Sequence, residues 1–328
     1  MMRANSVSSA HFSSSTASTI PKKNLLQVKD LDIPAAQKIA GVVAALMMVF
    51  VWSGYFLSLR IGAVSAITTF EIAVLRFCIP GFLLLPIFIH HRRQIFQVPK
   101  LYLAGLFVGG GLPFFWLGAV GMQMGQVAEG STLIPGVAPL FVTGIAVVVF
   151  NQPLSRLRLL GLSLIFAGVV AFVANSISGN SHVGAIVCFL SASFFWALFA
   201  LSIRQSGLSP LVAASVVTVP TGCLLLLSGL VLQPELGWQQ LPMQALFGQI
   251  FAQGIGAGLA SGLLFAYAIS RLGAEVTSAI GSLTPVGASL IAFLWLGEQV
   301  TSVVLIGIAL ISVGVIFASG LIKRNGVK

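Results

Sequence analysis

Charged residues are scarce in this sequence: 7% of its residues are Asp, Glu, Lys or Arg, and only seven are acidic. A soluble domain carries about 25% charged residues, so this composition excludes an ordinary water-soluble protein. Hydrophobic residues make up 57% of the chain instead. Apolar runs of about 20 residues recur, which is the length that a helix needs to cross a bilayer. The chain is therefore expected to fold in lipid.

The residue clusters that carry most enzyme chemistry are also absent. The sequence contains no Walker A, HExxH or GxSxG motif and no Cys/His cluster. Its three cysteines, Cys78, Cys188 and Cys223, lie inside apolar runs without metal or disulfide spacing. We therefore expect no enzyme activity, no metal and no cofactor. The net charge of +10 reports topology in a membrane protein, so no nucleic-acid partner is expected either.

The chain does contain one long stretch twice. A constant offset of 146 residues (275 − 129) aligns the segment from Glu129 to Phe172 with the segment that begins at Glu275. The aligned pairs are Glu129 with Glu275, Pro139 with Pro285, Gly161 with Gly307, Gly168 with Gly314 and, without identity, Gln152 with Glu298. A second match, at an offset of 144 (196 − 52), pairs WSGYFLSLR with WALFALSIR, which begin at Trp52 and Trp196. An internal repeat constrains the architecture before any other feature does.

Hydropathy predicts an all-α polytopic membrane protein with ten transmembrane helices. Their expected bounds are about 39–59, 67–89, 101–120, 127–150, 156–174, 182–203, 210–232, 245–269, 274–296 and 300–321. Each repeat, 38–174 and 182–321, then holds five helices, and this odd number forces the two halves into opposite orientations. Inverted five-helix repeats that share a midplane site are typical of secondary transporters.

Positive charge predicts the orientation in the membrane. Of the 17 Lys and Arg residues, 15 fall on one side of the expected topology, and only Arg60 and Arg76 do not. By the positive-inside rule that side is cytoplasmic, so both termini should lie in the cytoplasm of a cytoplasmic (inner) membrane protein. The Ser-rich residues 1–37 are read as a disordered cytoplasmic tail or, alternatively, as an organellar transit peptide. Residues 322–328 form a short basic tail.

Several short patterns resemble the drug/metabolite transporter superfamily in its ten-helix EamA-like branch. They are the Trp-containing first and sixth helices, VLRF from Val74 to Phe77, the Pro-Leu or Pro-Val pair before a long apolar run, and LGEQV from Leu296 to Val300. The resemblance covers about residues 38–321 and implies a transporter of small metabolites. Asn151-Gln152 stands where the family usually has Gly-Glu, so a role for that carboxylate survives only at Glu298.

Arg76 is the leading candidate for a substrate-binding residue. It lies inside the second predicted helix, where an arginine costs at least about 3 kcal/mol and must face protein or water. Its planar guanidinium suits the anionic group of a metabolite. A permanent structural ion pair is the alternative.

Two acids and several aromatic or amide side chains are further candidates. Glu71 and Glu129 lie near helix ends, where either could couple transport to protons or simply be a hydrated carboxylate. Aromatic residues within helices suit either a cavity wall or ordinary packing. Gln249 and Gln253 are four apart on one face and suit a polar cavity lining or hydrogen bonds between helices. The aromatic candidates are Trp52, Tyr55, Trp116, Trp196 and Tyr267.

The sequence thus predicts an exporter of small metabolites, amino-acid-like compounds first, that works by alternating access. Its partners are a small-molecule substrate, the lipid bilayer and, as a candidate coupling ion, the proton. A receptor or scaffold that kept the duplicated fold without transporting is the alternative, and it would need no deep polar cavity. Nothing in the sequence indicates an oligomeric state.

Overall fold

The computed structural model describes residues 34–150, 153–180 and 182–319, and every regular element in these ranges is helical. The predicted 322–328 tail and nearly all of the predicted 1–37 tail lie outside them. So do Asn151 and Gln152, and the side chain of Glu275 is outside the described part as well.

The first half of the chain comprises seven helices. They are α1 (Ala35–Ala63), α2 (Thr69–His90), α3 (Arg92–Gln97), α4 (Lys100–Gly110), α5 (Leu112–Met124), α6 (Val127–Phe150) and α7 (Arg156–Asn175). A π-helical turn, Ser176–Asn180, extends α7.

The second half begins at α8 and adds six helices with two irregular elements. The helices are α8 (Val183–Ser206), α9 (Pro210–Leu232), α10 (Met243–Gln249), α11 (Ser261–Gly281), α12 (Thr284–Leu296) and α13 (Ser302–Ser319). The 3₁₀ turn Trp238–Gln240 precedes α10, and the π-helix Ile250–Ala260 joins α10 to α11.

These elements confirm the polytopic membrane architecture. Eight segments are long and apolar enough to cross a membrane, and two shorter apolar helices, α12 and α13, occupy the last two positions. The third and eighth spans are less regular than the sequence predicted. The third is α4 and α5, broken at Gly111, and the eighth runs through the π-helix to Gly273. Gly273 has a φ of 82°, which ends the eighth span inside α11 because few other residues adopt that angle.

Glycine contacts between α7 and α13 show that the halves are inverted. A Cβ added to Gly161 would lie 2.6 Å from the Gly314 oxygen, and one added to Gly168 would lie 3.0 Å from the Gly307 oxygen. Early residues of α7 therefore meet late residues of α13, so these two helices are antiparallel. Because α7 and α13 are equivalent helices of the two repeats, their antiparallel packing means that the two halves have opposite orientations.

Other equivalent helices of the two repeats also pack across the two halves. α2 packs on its repeat counterpart α9, where a Cβ on Gly81 would lie 2.9 Å from the Thr218 oxygen and one on Gly222 would lie 3.2 Å from the Phe77 oxygen. α1 packs on α11 and α12, and its counterpart α8 packs on α4, α5 and α6. Helices of each half thus pack against helices of the other half around a shared centre.

Replacing Gly314 with leucine should destabilise the protein. The added side chain would collide with the Gly161 carbonyl oxygen and with Ile165, and such overpacking typically costs about 1–3 kcal/mol. Thermal unfolding in detergent should show the loss as a lower midpoint. Gly144→Leu is the matched control, because a Cβ there meets no atom within 4 Å. Equal midpoints for the two variants would contradict the tight α7–α13 packing.

Candidate functional site

A cavity of about 1550 Å³ lies between the two halves. Residues of both repeats line it, from α1, α2 and α6 in the first half and from α8, α9 and α11 in the second. At one end its lining includes Arg156 and Arg158 in the first turn of α7, Arg204 in the last turn of α8, and Pro210, the first residue of α9. Arg156 and Arg204 are exposed, so the cavity opens at this end. We call Arg156, Arg158 and Arg204 the mouth.

Arg76 occupies the deep part of the cavity. It lies seven residues after the start of α2, about 10 Å along the helix at 1.5 Å per residue, so it is nearer the end opposite the mouth. Its guanidinium carbon is 5.0 Å from the centroid of the buried Tyr55 ring, within reach of a cation–π contact. Nη1 of Arg76 is buried and forms no hydrogen bond with any described residue. No described carboxylate lies within ion-pair distance of it.

Aromatic rings form the wall beside Arg76. The centroids of Trp52 and Trp196 are 5.4 Å apart, edge to face. Phe114 and Phe199 pack on Trp196 at 5.2 and 5.1 Å. All four side chains line the cavity. Because Trp52 and Trp196 are equivalent positions of the repeat, the inverted halves bring them together at the shared centre.

The end of the bundle opposite the mouth is held by a polar cluster. Nε of Arg60, near the end of α1, lies 3.0 Å from Oε1 of Glu298, and Nη1 of Arg60 donates to the Met122 carbonyl at 2.6 Å. The Val127 amide donates to Oε2 of Glu298 at 2.9 Å. We call Arg60, Met122, Val127 and Glu298 the clamp. It ties α1, α5 and α6 of the first repeat to the end of α12 in the second, and none of its residues lines the cavity.

A glycine turn places Glu298 in the clamp. α12 ends at Leu296, and Gly297 follows in the left-handed region with a φ of 68°. The Gly297 amide donates to the Phe293 carbonyl, and the Glu298 amide donates to the Ala292 carbonyl. This pair of hydrogen bonds is typical of a helix that ends at a glycine. The chain reverses there and directs the Glu298 carboxylate toward Arg60.

A model of the EamA-like transporter family matches residues 39–174 and 183–320, which together form most of the chain. The chain belongs to the EamA-like transporter family. A solved structure described as the crystal structure of a protein has a similar fold, with a TM-score of 0.58 and 17% sequence identity over 87% of this chain and 99% of that one. No curated protein matches the chain.

In this EamA-like chain, four of the predicted substrate-binding residues converge in the cavity: Trp52, Tyr55, Arg76 and Trp196. Trp116 and Tyr267 do not join them. Their side chains are 43% and 42% exposed on the outside of the bundle, and neither lines the cavity. The Tyr267 ring instead packs against the Arg271 guanidinium at 5.3 Å.

The two glutamines of the EamA-like bundle join helices and do not line the cavity. Ser58 Oγ donates to Gln249 Oε1 at 2.7 Å, and Gln249 Nε2 donates to the Ser58 carbonyl at 2.9 Å. Gln253 Nε2 donates to Ser58 Oγ at 3.2 Å. These bonds attach the eighth span to α1 within the membrane. Of the two interpretations of Gln249 and Gln253, hydrogen bonding between helices describes these contacts.

Neither predicted coupling acid lines the cavity. Glu71 is fully buried at the start of α2, where it accepts hydrogen bonds from the amide and hydroxyl of Thr68 and from the Trp238 amide. Glu129 is also buried, and its Oε2 accepts from the Gln126 amide at 3.0 Å in the first turn of α6. These contacts give both acids a helix-capping role, and proton coupling through them stays a prediction.

The Glu71→Gln variant distinguishes a helix-capping role of Glu71 from a proton-coupling role. A glutamine has one acceptor oxygen, so its NH₂ group would face the Thr68 or Trp238 amide, and stability should fall by about 1–3 kcal/mol. Thermal unfolding should detect this loss, whereas Glu235→Gln, at an exposed position, should not change the midpoint. If Glu71 acts only as a helix cap, the pH dependence of flux in vesicles should be unchanged. A flattened pH profile with an unchanged midpoint would support coupling at Glu71.

The sequence pattern does not predict that the mouth arginines line the cavity or that Glu298 pairs with Arg60. In the sequence the mouth arginines indicate topology, and their positions in the first turn of α7 and the last turn of α8 bring them to the cavity. Two signals for the clamp were present in the sequence. Arg60 was the lone cation predicted at its end of the bundle, and Glu298 was the acid that had only a glutamine as its repeat counterpart.

Proposed function

We propose that this EamA-like protein is a secondary transporter that exports small metabolites by alternating access, and that the structure represents its inward-open state. Amino-acid-like compounds and related small metabolites are the substrate class that the sequence resemblance implies. In this proposal the mouth faces the cytoplasm and the clamp faces outward.

One observation carries the proposal. The cavity is open at the mouth and reaches Arg76, whereas the clamp joins both repeats at the opposite end. A transporter that alternates between two openings needs a central site with one end closed at a time. A receptor or scaffold that kept this fold could pack its centre shut, so an open cavity of about 1550 Å³ favours transport over that alternative.

Each part of the site has a role in the proposed cycle. Arg76 binds the anionic group of the substrate, because its buried Nη1 has no hydrogen-bond partner among the described residues. Trp52, Tyr55 and Trp196 contact the apolar part of the substrate. Release outward requires the clamp to open and the mouth to close, which the inverted halves achieve by exchanging conformations.

Cysteine labelling tests alternating access directly. In a variant with Cys78, Cys188 and Cys223 replaced by serine, a cysteine at Ala200, an exposed residue of the cavity lining, should react with an impermeant reagent from the mouth side. A cysteine at the buried Met122 should react from the clamp side only when the clamp opens. Substrate should change the two rates in opposite directions. A Met122→Cys protein that never reacts from the clamp side would contradict transport.

Metabolite profiling tests the export of small molecules. The medium of cells that overexpress the protein should accumulate the substrate relative to a deletion strain, and inside-out vesicles should take the compound up. Because transport direction follows from the vesicle orientation, the same assay places the mouth. Uptake by right-side-out vesicles alone would contradict export.

A further inference from the structure

The charge of the cavity limits the class of substrate, provided that the proposed transport function holds. Four arginines line the cavity, Arg76 at depth and the three arginines of the mouth. No aspartate or glutamate of the described residues lines it. The described acids in the membrane domain are all elsewhere: Glu71 and Glu129 in caps, Glu298 in the clamp and Glu235 on an exposed loop.

An α-amino acid would bring its ammonium group close to Arg76. The carboxylate and ammonium of such a molecule are attached to the same carbon, so a carboxylate on the Arg76 guanidinium holds the ammonium a few ångströms from that positive charge. Like charges at this separation repel, and the repulsion is strong where water is excluded. A zwitterion would therefore need a compensating acceptor in the cavity.

The described residues do not supply a charged acceptor. Aromatic faces are the usual alternative site for an ammonium. The Tyr55 ring already contacts the Arg76 guanidinium, and the Trp196 ring packs against Trp52, Phe114 and Phe199.

Hydroxyl groups of the cavity are further polar acceptors. Several of them donate to carbonyls of their own helices, as Thr132 does to Ala128 and Thr218 does to Ala214. Such neutral oxygens can accept a hydrogen bond but do not offset a full charge.

We infer that the cavity selects organic anions that carry an apolar or aromatic body and no ammonium group, in preference to zwitterionic amino acids. Arg76 binds the carboxylate or phosphate of such a molecule, the aromatic wall contacts its body, and the mouth raises the local concentration of anions.

A matched set of three probes tests this selection. 3-Phenylpropanoate, phenylalanine and phenethylamine share one body and are an anion, a zwitterion and a cation near neutral pH. Binding to the purified full-length protein in detergent is measured by calorimetry. We expect 3-phenylpropanoate to bind at least about tenfold more tightly than phenylalanine, and phenethylamine not to bind.

Binding of phenylalanine as tight as that of 3-phenylpropanoate, or no binding of 3-phenylpropanoate, would overturn the inference. Neither result would overturn the proposed transport, because the labelling of Met122→Cys and Ala200→Cys proteins decides that question without a known substrate.

Variants of the mouth test whether its positive charge attracts anions to the cavity. The double variant Arg156→Gln/Arg204→Gln should lower the association rate of 3-phenylpropanoate about three- to tenfold at low ionic strength, and this difference should vanish in high salt. Arg93→Gln is the matched control, since Arg93 is exposed on α3 and does not line the cavity. An equal effect of Arg93→Gln, or an effect independent of salt, would show that the mouth does not act by steering anions.

Discussion

Arg76→Gln should lower transport by at least about 100-fold while the protein stays folded. The substitution removes two charge-assisted hydrogen bonds to the substrate, each of about 1.5–3 kcal/mol, and tenfold in affinity corresponds to about 1.4 kcal/mol. Arg76→Lys should recover only part of the activity, because an ammonium keeps the charge but lacks the planar fork. Flux of a substrate identified by metabolite profiling into vesicles measures both variants.

Stability distinguishes this functional role from a structural one. Since the buried Nη1 of Arg76 has no hydrogen-bond partner among the described residues, the guanidinium costs desolvation energy in the empty protein. Its replacement by glutamine should leave the unfolding midpoint unchanged or raise it. A structural arginine would give a lower midpoint when replaced. Unaltered transport by Arg76→Gln would remove the central residue of the proposed site.

The second large effect is expected at the clamp. Glu298→Gln removes the ion pair with Arg60 and turns an NH₂ group toward one of the two donors, Arg60 or the Val127 amide. Breaking a buried pair costs about 3–5 kcal/mol, and we expect about 1–3 kcal/mol here because the two side chains are 21% and 11% exposed. The equilibrium between the inward-open and outward-open states should shift toward the outward-open state by about 5- to 150-fold.

Labelling of the Met122→Cys protein from the clamp side should therefore rise sharply in the Glu298→Gln background. Reaction of the Ala200→Cys protein from the mouth side should fall in parallel. Glu235→Gln is the control, because it makes the same chemical change at an exposed carboxylate outside the clamp. Labelling rates that do not respond to Glu298→Gln would mean that the clamp does not hold the outer end closed.

The architecture could be predicted from sequence because lipid imposes strict rules. Ten apolar runs, the two repeats and the odd number of helices per repeat are sufficient to predict inverted halves, and the Gly161–Gly314 contact agrees with that prediction. Arg76 and Trp52 could also be singled out, since a charge or a large aromatic ring inside a membrane helix needs an environment that lipid does not provide.

The rotation of each helix about its axis could not be predicted in the same way. In a membrane protein the lipid-facing side is as apolar as the packed side, so hydropathy does not report which face points inward. Trp116 and Trp196 are therefore alike in sequence, yet one lies on the outside and the other lines the cavity. The partner of Ser58 and the clamp at Glu298 depend on contacts across the two halves, which a linear pattern does not contain.

In the proposed cycle the fixed guanidinium of Arg76 faces alternate sides of the bilayer, which would make transport sensitive to membrane voltage. Each elementary charge moved through the full field gains or loses about 2.3 kcal/mol per 100 mV. A bound monoanion would neutralise Arg76 while the carrier changes from the inward-open to the outward-open state, so this step would be nearly electroneutral. The empty carrier returns with its positive charge, and a negative interior favours this return. One turn of the proposed cycle would then expel one net negative charge, so we expect a membrane potential that is negative inside to favour export of a monoanion.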